Sequence, residues 1–206
     1  IVKAAKYLKE LSNNKKLGAY IYLKKNIPIG AGLAGGSSNA AATLIGLNKL
    51  WGLKLEYDTI LSLSAKLGSD VPFFVNGGCQ FCFGRGEILE KHNSKFEYGV
   101  ILLKHSKISI STADTYKKYS KRFCRDYYTE CKKIDSIRND LRINGLNVLN
   151  YPDQMIKVKN DLQVIVEKDN DSVKQALYLL SNLKNCLTFS MSGSGPTCFA
   201  LFKDIN

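Results

Sequence analysis

The most distinctive segment of this 206-residue sequence is a glycine-rich loop, Pro28-Ile29-Gly30-Ala31-Gly32-Leu33-Ala34-Gly35-Gly36-Ser37-Ser38. Apart from Leu33, every residue from Gly30 onward is small, so backbone N–H groups can approach a ligand closely. A helical pattern follows over Asn39–Trp51, and the positive N-terminal end of that helix points back at the loop. Loop and helix together predict a phosphate-binding nest, to which Ser37 and Ser38 add hydroxyls that can contact phosphate oxygens or a hydrated Mg²⁺.

Two common nucleotide-binding motifs do not account for this loop. The spacing Gly30-x-Gly32-x-x-Gly35 matches the dinucleotide fingerprint, but that motif needs a following parallel strand with an acidic residue at its end. Here Gly52 and a second helical pattern follow instead. The Walker A motif is excluded because no Gly-Lys-Ser/Thr closes the loop. A glycine-rich turn without a ligand is the alternative interpretation, and the pattern favours phosphate binding.

The remaining pattern predicts an α+β protein with a domain boundary near residue 90. Helices are predicted at residues 1–11, 39–51, 59–67 (with Asp58 as N-cap), from 112 onward, and at 134–149, 160–166 and 173–183. Strands are predicted at residues 17–23, 73–75, 79–83, 98–103, 108–110, 186–191 and 197–202, with a hairpin-like turn at 76–78. Because strands and helices do not alternate regularly, the order favours α+β over a doubly wound parallel sheet.

The charge balance is strongly basic. Thirty Lys and Arg against 18 Asp and Glu give a net charge of +12, a field that attracts nucleotides, nucleic acid or acidic membranes. The basic, aromatic segment 116–133 has the composition of an RNA-binding surface, but a solvated helix face explains the same pattern and is favoured. No stretch approaches the roughly 20 apolar residues of a spanning helix. We therefore expect a cytoplasmic protein with no nucleic-acid and no membrane partner.

Cys79 and Cys82 form a C-x-x-C pair, which can indicate a redox pair or half of a zinc site. In a predicted strand, residues three apart point to opposite faces. The sequence has no second C-x-x-C and no histidine at ligand spacing. We therefore expect all six cysteines to be reduced structural thiols in the core, and no metal site built from protein ligands.

Three ordered motifs resemble those of the GHMP kinase superfamily. The first is the glycine-rich loop with the Asn39-Ala40-Ala41 that follows it. The second is Leu67-Gly68-Ser69-Asp70-Val71-Pro72-Phe73-Phe74, followed by Gly77-Gly78 and Gly84-Arg85-Gly86-Glu87. The third is Met191-Ser192-Gly193-Ser194-Gly195-Pro196-Thr197, preceded by Asn160-Asp161-Leu162.

The resemblance implies a two-domain architecture. Residues 1–90 would form an ATP-binding N-terminal domain with a ribosomal-protein-like fold, incomplete at its start and without its first strands. Residues 91–206 would form a ferredoxin-like α/β substrate-binding domain. The family's N-terminal lysine and Tyr-His pair have no counterpart in these residues, so we expect the segment alone to be poorly active.

The resemblance also implies roles for individual residues. Asp70 matches the family's catalytic base, which orients an acceptor hydroxyl and takes its proton. The expected ATP-binding residues are Lys25, Pro28, Ile29, Gly30, Ala31, Gly32, Leu33, Ala34, Gly35, Gly36, Ser37, Ser38 and Asn39. The expected substrate-binding residues are Asp70, Thr112, Tyr116, Gly193, Ser194 and Gly195. An Asp70 side chain turned outward into solvent would count against this interpretation.

Each of these residues also has a purely structural explanation. Asp70 suits a turn before Val-Pro, and Lys25 suits a solvated strand end. Thr112 suits a helix cap, and Tyr116 suits a core aromatic.

The second motif resembles one branch of the superfamily, which works in non-mevalonate isoprenoid biosynthesis. The resemblance implies phosphoryl transfer from ATP, with Mg²⁺, to a tertiary hydroxyl of a cytidine-containing sugar-alcohol diphosphate, by a monomer or a homodimer. Two alternatives stay open: another GHMP kinase of the mevalonate or homoserine type, and a non-enzymatic basic module that binds nucleic acid.

Overall fold

The structure is a computed structural model that describes residues 1–92, 97–130, 139 and 158–203. Within these residues the helices are α1 (Val2–Ser12), α2 (Gly35–Leu50), α3 (Tyr57–Leu67), α4 (Val71–Asn76), α5 (Thr112–Glu130), α6 (Gln163–Asp169) and α7 (Asp171–Ser181). The strands are β1 (Gln80–Phe83), β2 (Ile88–Lys91), β3 (Gly99–Leu103), β4 (Cys186–Met191) and β5 (Cys198–Phe202). Helices are mixed with small antiparallel sheets, which confirms the predicted α+β class.

The first of two structural units comprises Ile1–Ile29 and Ala34–Lys95. Its core is formed by α1, α2 and α3, which bury Leu8, Leu44 and Ile60 against one another. Helix α1 forms as predicted because its apolar residues recur at helical spacing and line one face. Helix α2 ends where Gly52 adopts a left-handed φ of 61°, as a glycine after a helix C-terminus commonly does.

Several predictions in this unit are wrong. Residues 73–75, predicted as a strand, lie in α4, because Pro72 occupies the first turn of a helix, where its fixed φ is favourable and its missing N–H has no bond to lose. The hairpin joins β1 to β2 through residues 84–87 rather than forming at 76–78, and it pairs Phe83 with Ile88. Asp58 lies in the first turn of α3 and is not its N-cap.

The second unit comprises Gly30–Leu33 and Phe96–Asn206. Its strands pair antiparallel in the order β3-β5-β4, so the predicted C-terminal strands form the middle and one side of a sheet. Val166 of α6 and Val173, Leu177 and Leu180 of α7 are buried with Met191 of β4. The core of this unit therefore lies between α6, α7 and the sheet.

Several segments depart from the predicted elements. Residues 17–23 and 108–110 form no strand, and Tyr20 and Tyr22 are exposed. A strand needs a neighbour to pair with as well as β propensity, and none of the described strands pairs with either segment. Helix α2 begins at Gly35 rather than Asn39. The helix predicted at 134–149 lies outside the described residues.

The cysteine prediction is confirmed at one position and wrong at two. Cys198 is buried, whereas Cys79 and Cys82 are exposed rather than in the core. Cys186 is partly buried, and all four of these thiols are free. None of the helices within the described ranges is both long enough and apolar enough to cross a lipid bilayer.

Candidate functional site

The first half of the glycine-rich loop, Gly30–Leu33, is fixed through its carbonyl groups. Three successive carbonyls each accept one hydrogen bond: Gly30 from the Ile110 N–H at 3.3 Å, Ala31 from the Thr197 N–H at 3.3 Å, and Gly32 from the Ser192 hydroxyl at 2.8 Å. Within the described part of the chain, no amide N–H of this half donates a hydrogen bond. The carbonyls are therefore turned away from a ligand, and the amide hydrogens stay free.

Gly32 lies so close to the loop of residues 192–197 that no side chain fits. Its φ is +73°, and a methyl group built on it would lie 2.7 Å from the Gly195 carbonyl oxygen and 2.9 Å from the Gly195 nitrogen. The carbonyl oxygen of Ser192 would be closer still. Both the backbone conformation and the lack of space require glycine here. The first and third sequence motifs thus contact each other directly.

The second half of the loop, Ala34–Asn39, begins α2. Ala34 precedes the helix with a left-handed φ of 48°, a conformation that costs a non-glycine residue about 1–2 kcal/mol. The first intrahelical bond runs from the Ser38 N–H to the Ala34 carbonyl at 3.0 Å. In the described residues, the N–H groups of Gly35, Gly36 and Ser37 have no hydrogen-bond partner. These groups carry the partial positive charge of the helix end, where an anion is stabilised.

Lys25 lies against the start of α2, although its side chain is largely exposed. A methyl group built on Gly35 would lie 2.9 Å from Lys25 Nζ and 2.9 Å from Ile27 Cγ2. A positively charged ammonium group therefore sits beside the positive end of the helix. These two features repel each other unless an anion lies at the same place. Pro28 and Ile29, between Lys25 and the loop, are exposed.

Asp70 immediately precedes α4 and is exposed. Its neighbour Val71 is buried and packs with Ala40 and Ala41 of α2. The Asp70 backbone is therefore anchored to the helix that follows the glycine-rich loop. The carboxylate is open to solvent, and this is the observation that counts against the expected catalytic role of Asp70. No hydrogen bond or ion pair in the described ranges occupies it.

The β1–β2 hairpin lies beside the turn that carries Asp70. A methyl group built on Gly86 would lie 3.4 Å from the Ser69 carbonyl oxygen. Burial raises the pKa of the Cys82 thiol, and the nearby negative charge of Asp70 raises it as well. The Asp70 carboxylate therefore lies close enough to the hairpin to act electrostatically on Cys82.

The predicted substrate residues of the second unit lie near one another. The hydroxyls of Thr112 and Ser194 share a hydrogen bond of 2.7 Å, which joins the start of α5 to the 192–197 loop. Tyr116, one turn along α5, is exposed, so it is not the core aromatic of the structural alternative. It lines a cavity of about 820 Å³ together with Asn160 and Gly193. Lys25, Ala34–Asn39 and Asp70 belong to the first unit.

Sequence reasoning missed the contacts of Asn160 and Ser192. The Asn160 side chain donates to the carbonyls of Met191 and Gly193, and the Ser192 hydroxyl donates to Gly32. In the sequence, Asn160 and Ser192 stood out only as members of the third motif and the segment before it, and this did not indicate which groups they contact.

The described residues contain no group of three His, Cys, Asp or Glu side chains placed to hold a metal ion. The hydroxyl oxygens nearest the start of α2 belong to Ser37 and Ser38. The Ser38 hydroxyl donates to the Gly35 carbonyl at 3.1 Å, so its oxygen lone pairs remain available to a hard cation.

Two family models match this sequence. The GHMP kinases N terminal domain matches residues 1–78, and the GHMP kinases C terminal model matches residues 130–205. A 4-diphosphocytidyl-2-C-methyl-D-erythritol kinase of Prochlorococcus marinus strain MIT 9515 is 77% identical over 206 residues, and one of Prochlorococcus marinus subsp. pastoris is 74% identical over 206 residues. Each comparison covers 100% of this chain and 66% of the relative's length.

Solved structures share the fold at lower identity. A crystal structure of 4-(cytidine 5'-diphospho)-2C-methyl-D-erythritol kinase matches with a TM-score of 0.66 and 24% identity, over 97% of this chain and 67% of that one. A homoserine kinase from Cytophaga hutchinsonii matches with a TM-score of 0.50 and 18% identity, over 99% and 66% of the two chains. These similarities concern the fold alone, and with the family models they confirm the expected two-domain architecture. From the two matched domains and the high identity to kinases along its whole length, the chain belongs to the GHMP kinase family.

Proposed function

We propose that the protein phosphorylates the 2-hydroxyl of 4-diphosphocytidyl-2-C-methyl-D-erythritol with ATP, a step of non-mevalonate isoprenoid biosynthesis. Identities of 77% and 74% to kinases of that name support the substrate. Because the chain spans 66% of those relatives' length, the activity is assigned to the protein at its natural length. In this proposal residues 1–90 bind ATP and residues 91–206 bind the acceptor.

One observation carries the phosphoryl-transfer chemistry: among the described residues, the N–H groups of Gly35, Gly36 and Ser37 at the start of α2 have no hydrogen-bond partner. A triphosphate offers many acceptor oxygens and several negative charges. Bare amides and a helix N-terminus suit such a group. In the proposal, Pro28–Asn39 surround the ATP phosphates, and the Lys25 ammonium beside Gly35 offsets part of their charge.

Asp70 is the proposed catalytic base because it occupies the matching position of the second motif, which we weigh above its exposure to solvent. As the substrate hydroxyl oxygen forms its bond to the γ-phosphorus, the bond from that phosphorus to the β,γ-bridging oxygen breaks and ADP leaves. The hydroxyl proton passes to the Asp70 carboxylate, which has no partner in the described ranges and is free to accept it. The buried Val71 supports this role because it fixes the Asp70 backbone to α2.

Thr112, Tyr116 and the Gly193-Ser194-Gly195 turn are the proposed acceptor-binding residues, together with Asp70. The Thr112–Ser194 hydrogen bond supports a shared site for the first and last of these elements. The exposed ring of Tyr116 provides a face on which a cytosine base can stack. All assigned residues come from one chain, which suits a monomer or a homodimer alike.

Mg²⁺ enters the proposal with the nucleotide. The described residues supply hydroxyls at Ser37 and Ser38 rather than a cluster of carboxylates, which fits an ion held mainly by phosphate oxygens. When bound, the ion offsets the charge of the transferred phosphoryl group. With ATP as donor, the cytoplasm is the compartment we propose.

The test is Asp70→Asn in the protein at its natural length, with Asp58→Asn as the matched control. Asp58 is also exposed and in the first unit, at the start of α3. We expect Asp70→Asn to lower kcat by about 10²–10⁴-fold, the range typical of a lost general base, with ADP release as the assay. Asp58→Asn should keep wild-type turnover. Wild-type kcat in Asp70→Asn would disprove the catalytic role.

The substrate is tested separately on the wild-type protein. ADP release is measured with the cytidine-containing alcohol, mevalonate and homoserine as acceptors. We expect turnover with the first alone. Phosphorylation of mevalonate or homoserine in its place would overturn the proposed substrate and leave the kinase assignment intact.

A further inference from the structure

Asn160 lies just before α6 and joins three backbone groups. Its Nδ2 donates to the carbonyl oxygens of Met191 at 2.6 Å and Gly193 at 2.9 Å. Its Oδ1 accepts from the Leu162 N–H at 3.0 Å. Only one orientation of the amide makes all three bonds, because a flipped amide would set its oxygen against two carbonyl oxygens. Both hydrogens of the Asn160 amide are therefore in use.

Local structure explains only one of these bonds. An acceptor three residues before the first residue of a helix stabilises the turn, and an aspartate would serve equally well there. The two donor bonds reach 31 and 33 residues further along the chain. Neither aspartate nor serine could make both. The bonds to Met191 and Gly193, rather than the start of the helix, therefore explain why this residue is an asparagine.

The two carbonyls flank the residue that contacts the glycine-rich loop. Met191 ends β4, and its N–H donates to Gln163 Oε1 at 2.9 Å, so side chains near the start of α6 pair both of its backbone groups. Gly193 lies on the other side of Ser192, whose hydroxyl donates to the Gly32 carbonyl. A methyl group built on Gly193 would lie 3.2 Å from that same oxygen. The Asn160 amide therefore holds the loop on both sides of its contact with Gly32.

We propose that Asn160 is a positioning residue for phosphoryl transfer. By holding Met191 and Gly193, its amide sets Ser192 against Gly32 and orients the Gly193-Ser194-Gly195 turn toward the acceptor substrate. Asn160 acts through this loop and touches no reacting atom. The inference rests on the proposed function, since it assigns the loop to acceptor binding.

The test is Asn160→Asp in the protein at its natural length. The substitution keeps the shape but removes both donors and turns a carboxylate toward two carbonyl oxygens. This arrangement raises the pKa of the introduced carboxyl, and the protonated form can donate one hydrogen bond. Nearby charged groups are Lys159 and Asp161, paired with each other at 2.9 Å, and Glu167, which accepts from Gln163. None of them is altered by the substitution.

The matched control is Asn170→Asp, the same change at the start of α7. There the side chain only accepts, from the Val173 N–H at 3.3 Å, so a carboxylate can replace it. At about pH 8 we expect Asn160→Asp to lower kcat/KM for the acceptor by about tenfold or more, the effect of losing one or two hydrogen bonds. KM for ATP should change less than about threefold, a much smaller effect than tenfold.

The pH profile separates positioning from a general loss of structure. Relative to wild type, Asn160→Asp should regain activity as pH falls to about 5.5, because protonation restores a donor, and Asn170→Asp should follow wild type throughout. Equal activity of Asn160→Asp and wild type at every pH would overturn the proposal. So would a loss of the same size at both ends of the range.

A second variant covers the case in which Asn160→Asp does not fold at high pH. Asn160→Ala removes the donors without adding charge, so it should fold and lose acceptor kcat/KM with no recovery at low pH. Wild-type kinetics in this variant would contradict the proposal.

Failure of the proposed function is distinguishable from failure of this inference. If the wild-type protein does not phosphorylate the cytidine-containing alcohol, the proposed function fails by itself. The hold of the Asn160 amide on Met191 and Gly193 is then tested by thermal unfolding. The Tm deficit of Asn160→Asp should grow as pH rises, because a carboxyl whose folded pKa is raised loses its contribution to stability above that pKa. A Tm deficit that does not change with pH would show that the Asn160 amide does not hold these two carbonyls.

Discussion

The two halves of the glycine-rich loop are built in opposite ways. Gly30–Leu33 is held by hydrogen bonds to three carbonyls and by a glycine that leaves no room for a methyl group. Ala34–Ser37 makes no such bond to a distant part of the described residues. It starts a helix from a left-handed alanine, beside the ammonium group of Lys25. Both halves keep unpaired amide N–H groups among the described residues, but only the first is fixed by bonds to distant residues, and only the second begins with a strained non-glycine residue.

This difference separates folding from ligand binding. Backbone groups paired within the protein stabilise the fold, whereas unpaired or strained ones persist where a ligand or a function requires them. Substitutions in the first half should therefore change the free energy of unfolding. Substitutions in the second half should change ATP binding and leave stability nearly intact.

The largest effect is expected for Gly32→Ala. The new methyl group would overlap the backbone of Gly195 and Ser192 and adopt an unfavourable φ. Overpacking and backbone strain together should lower the free energy of unfolding by about 3 kcal/mol or more, measured by urea denaturation. The control is Gly46→Ala in α2, where nothing lies within 4 Å and alanine should add up to about 1 kcal/mol. Similar stability of the two variants would remove the basis of the comparison.

Lys25→Met tests the second half of the loop. Loss of the ammonium group beside Gly35 should raise KM for ATP about tenfold, which corresponds to roughly 1.4 kcal/mol, without changing the unfolding midpoint. Lys24→Met removes an equally exposed charge one residue earlier and should leave KM within about twofold, a free-energy change under roughly 0.5 kcal/mol. An unchanged KM in Lys25→Met would show that the exposed ammonium group does not reach the nucleotide.

Ser192→Ala removes one of the three bonds that fix the first half. Because the Gly32 carbonyl loses its donor, we expect the free energy of unfolding to fall by about 1 kcal/mol. Ser181→Ala is the control, since that hydroxyl makes an exposed bond at the end of α7 and its loss should change stability by less than about 0.5 kcal/mol. If both variants were equally stable, the tied carbonyls would not contribute to folding.

The smallest effect is expected for Ala34→Gly. Relief of the left-handed φ of 48° should offset the added flexibility of glycine and leave a gain of up to about 1 kcal/mol in unfolding free energy. Ala31→Gly is the control in the other half: Ala31 is buried and has no positive φ, so the same change should destabilise. A loss of stability in Ala34→Gly as large as in Ala31→Gly would argue against stored strain.

The features that local signals determine could be predicted from the sequence. Glycine spacing predicted the loop, and apolar periodicity predicted α1 and α7. Short apolar runs such as 73–75 fit a strand or a helix equally well, and only Pro72 and its packing decide between them.

Contacts between distant residues could not be predicted, because they depend on the path of the whole chain. The Ser192–Gly32 bond joins residues 160 positions apart, and the Thr112–Ser194 bond joins residues 82 apart. The family resemblance indicated which motifs matter but not which atoms meet. The exposed carboxylate of Asp70 was also not foreseen.

Ala40 and Ala41 leave only methyl groups between α2 and Val71. A valine at either position would push Val71 away from α2 and shift the neighbouring Asp70, although neither alanine is a proposed substrate contact. Sequence variation in this protein should therefore be limited at these two interior positions, although neither would be found by looking for ligand contacts.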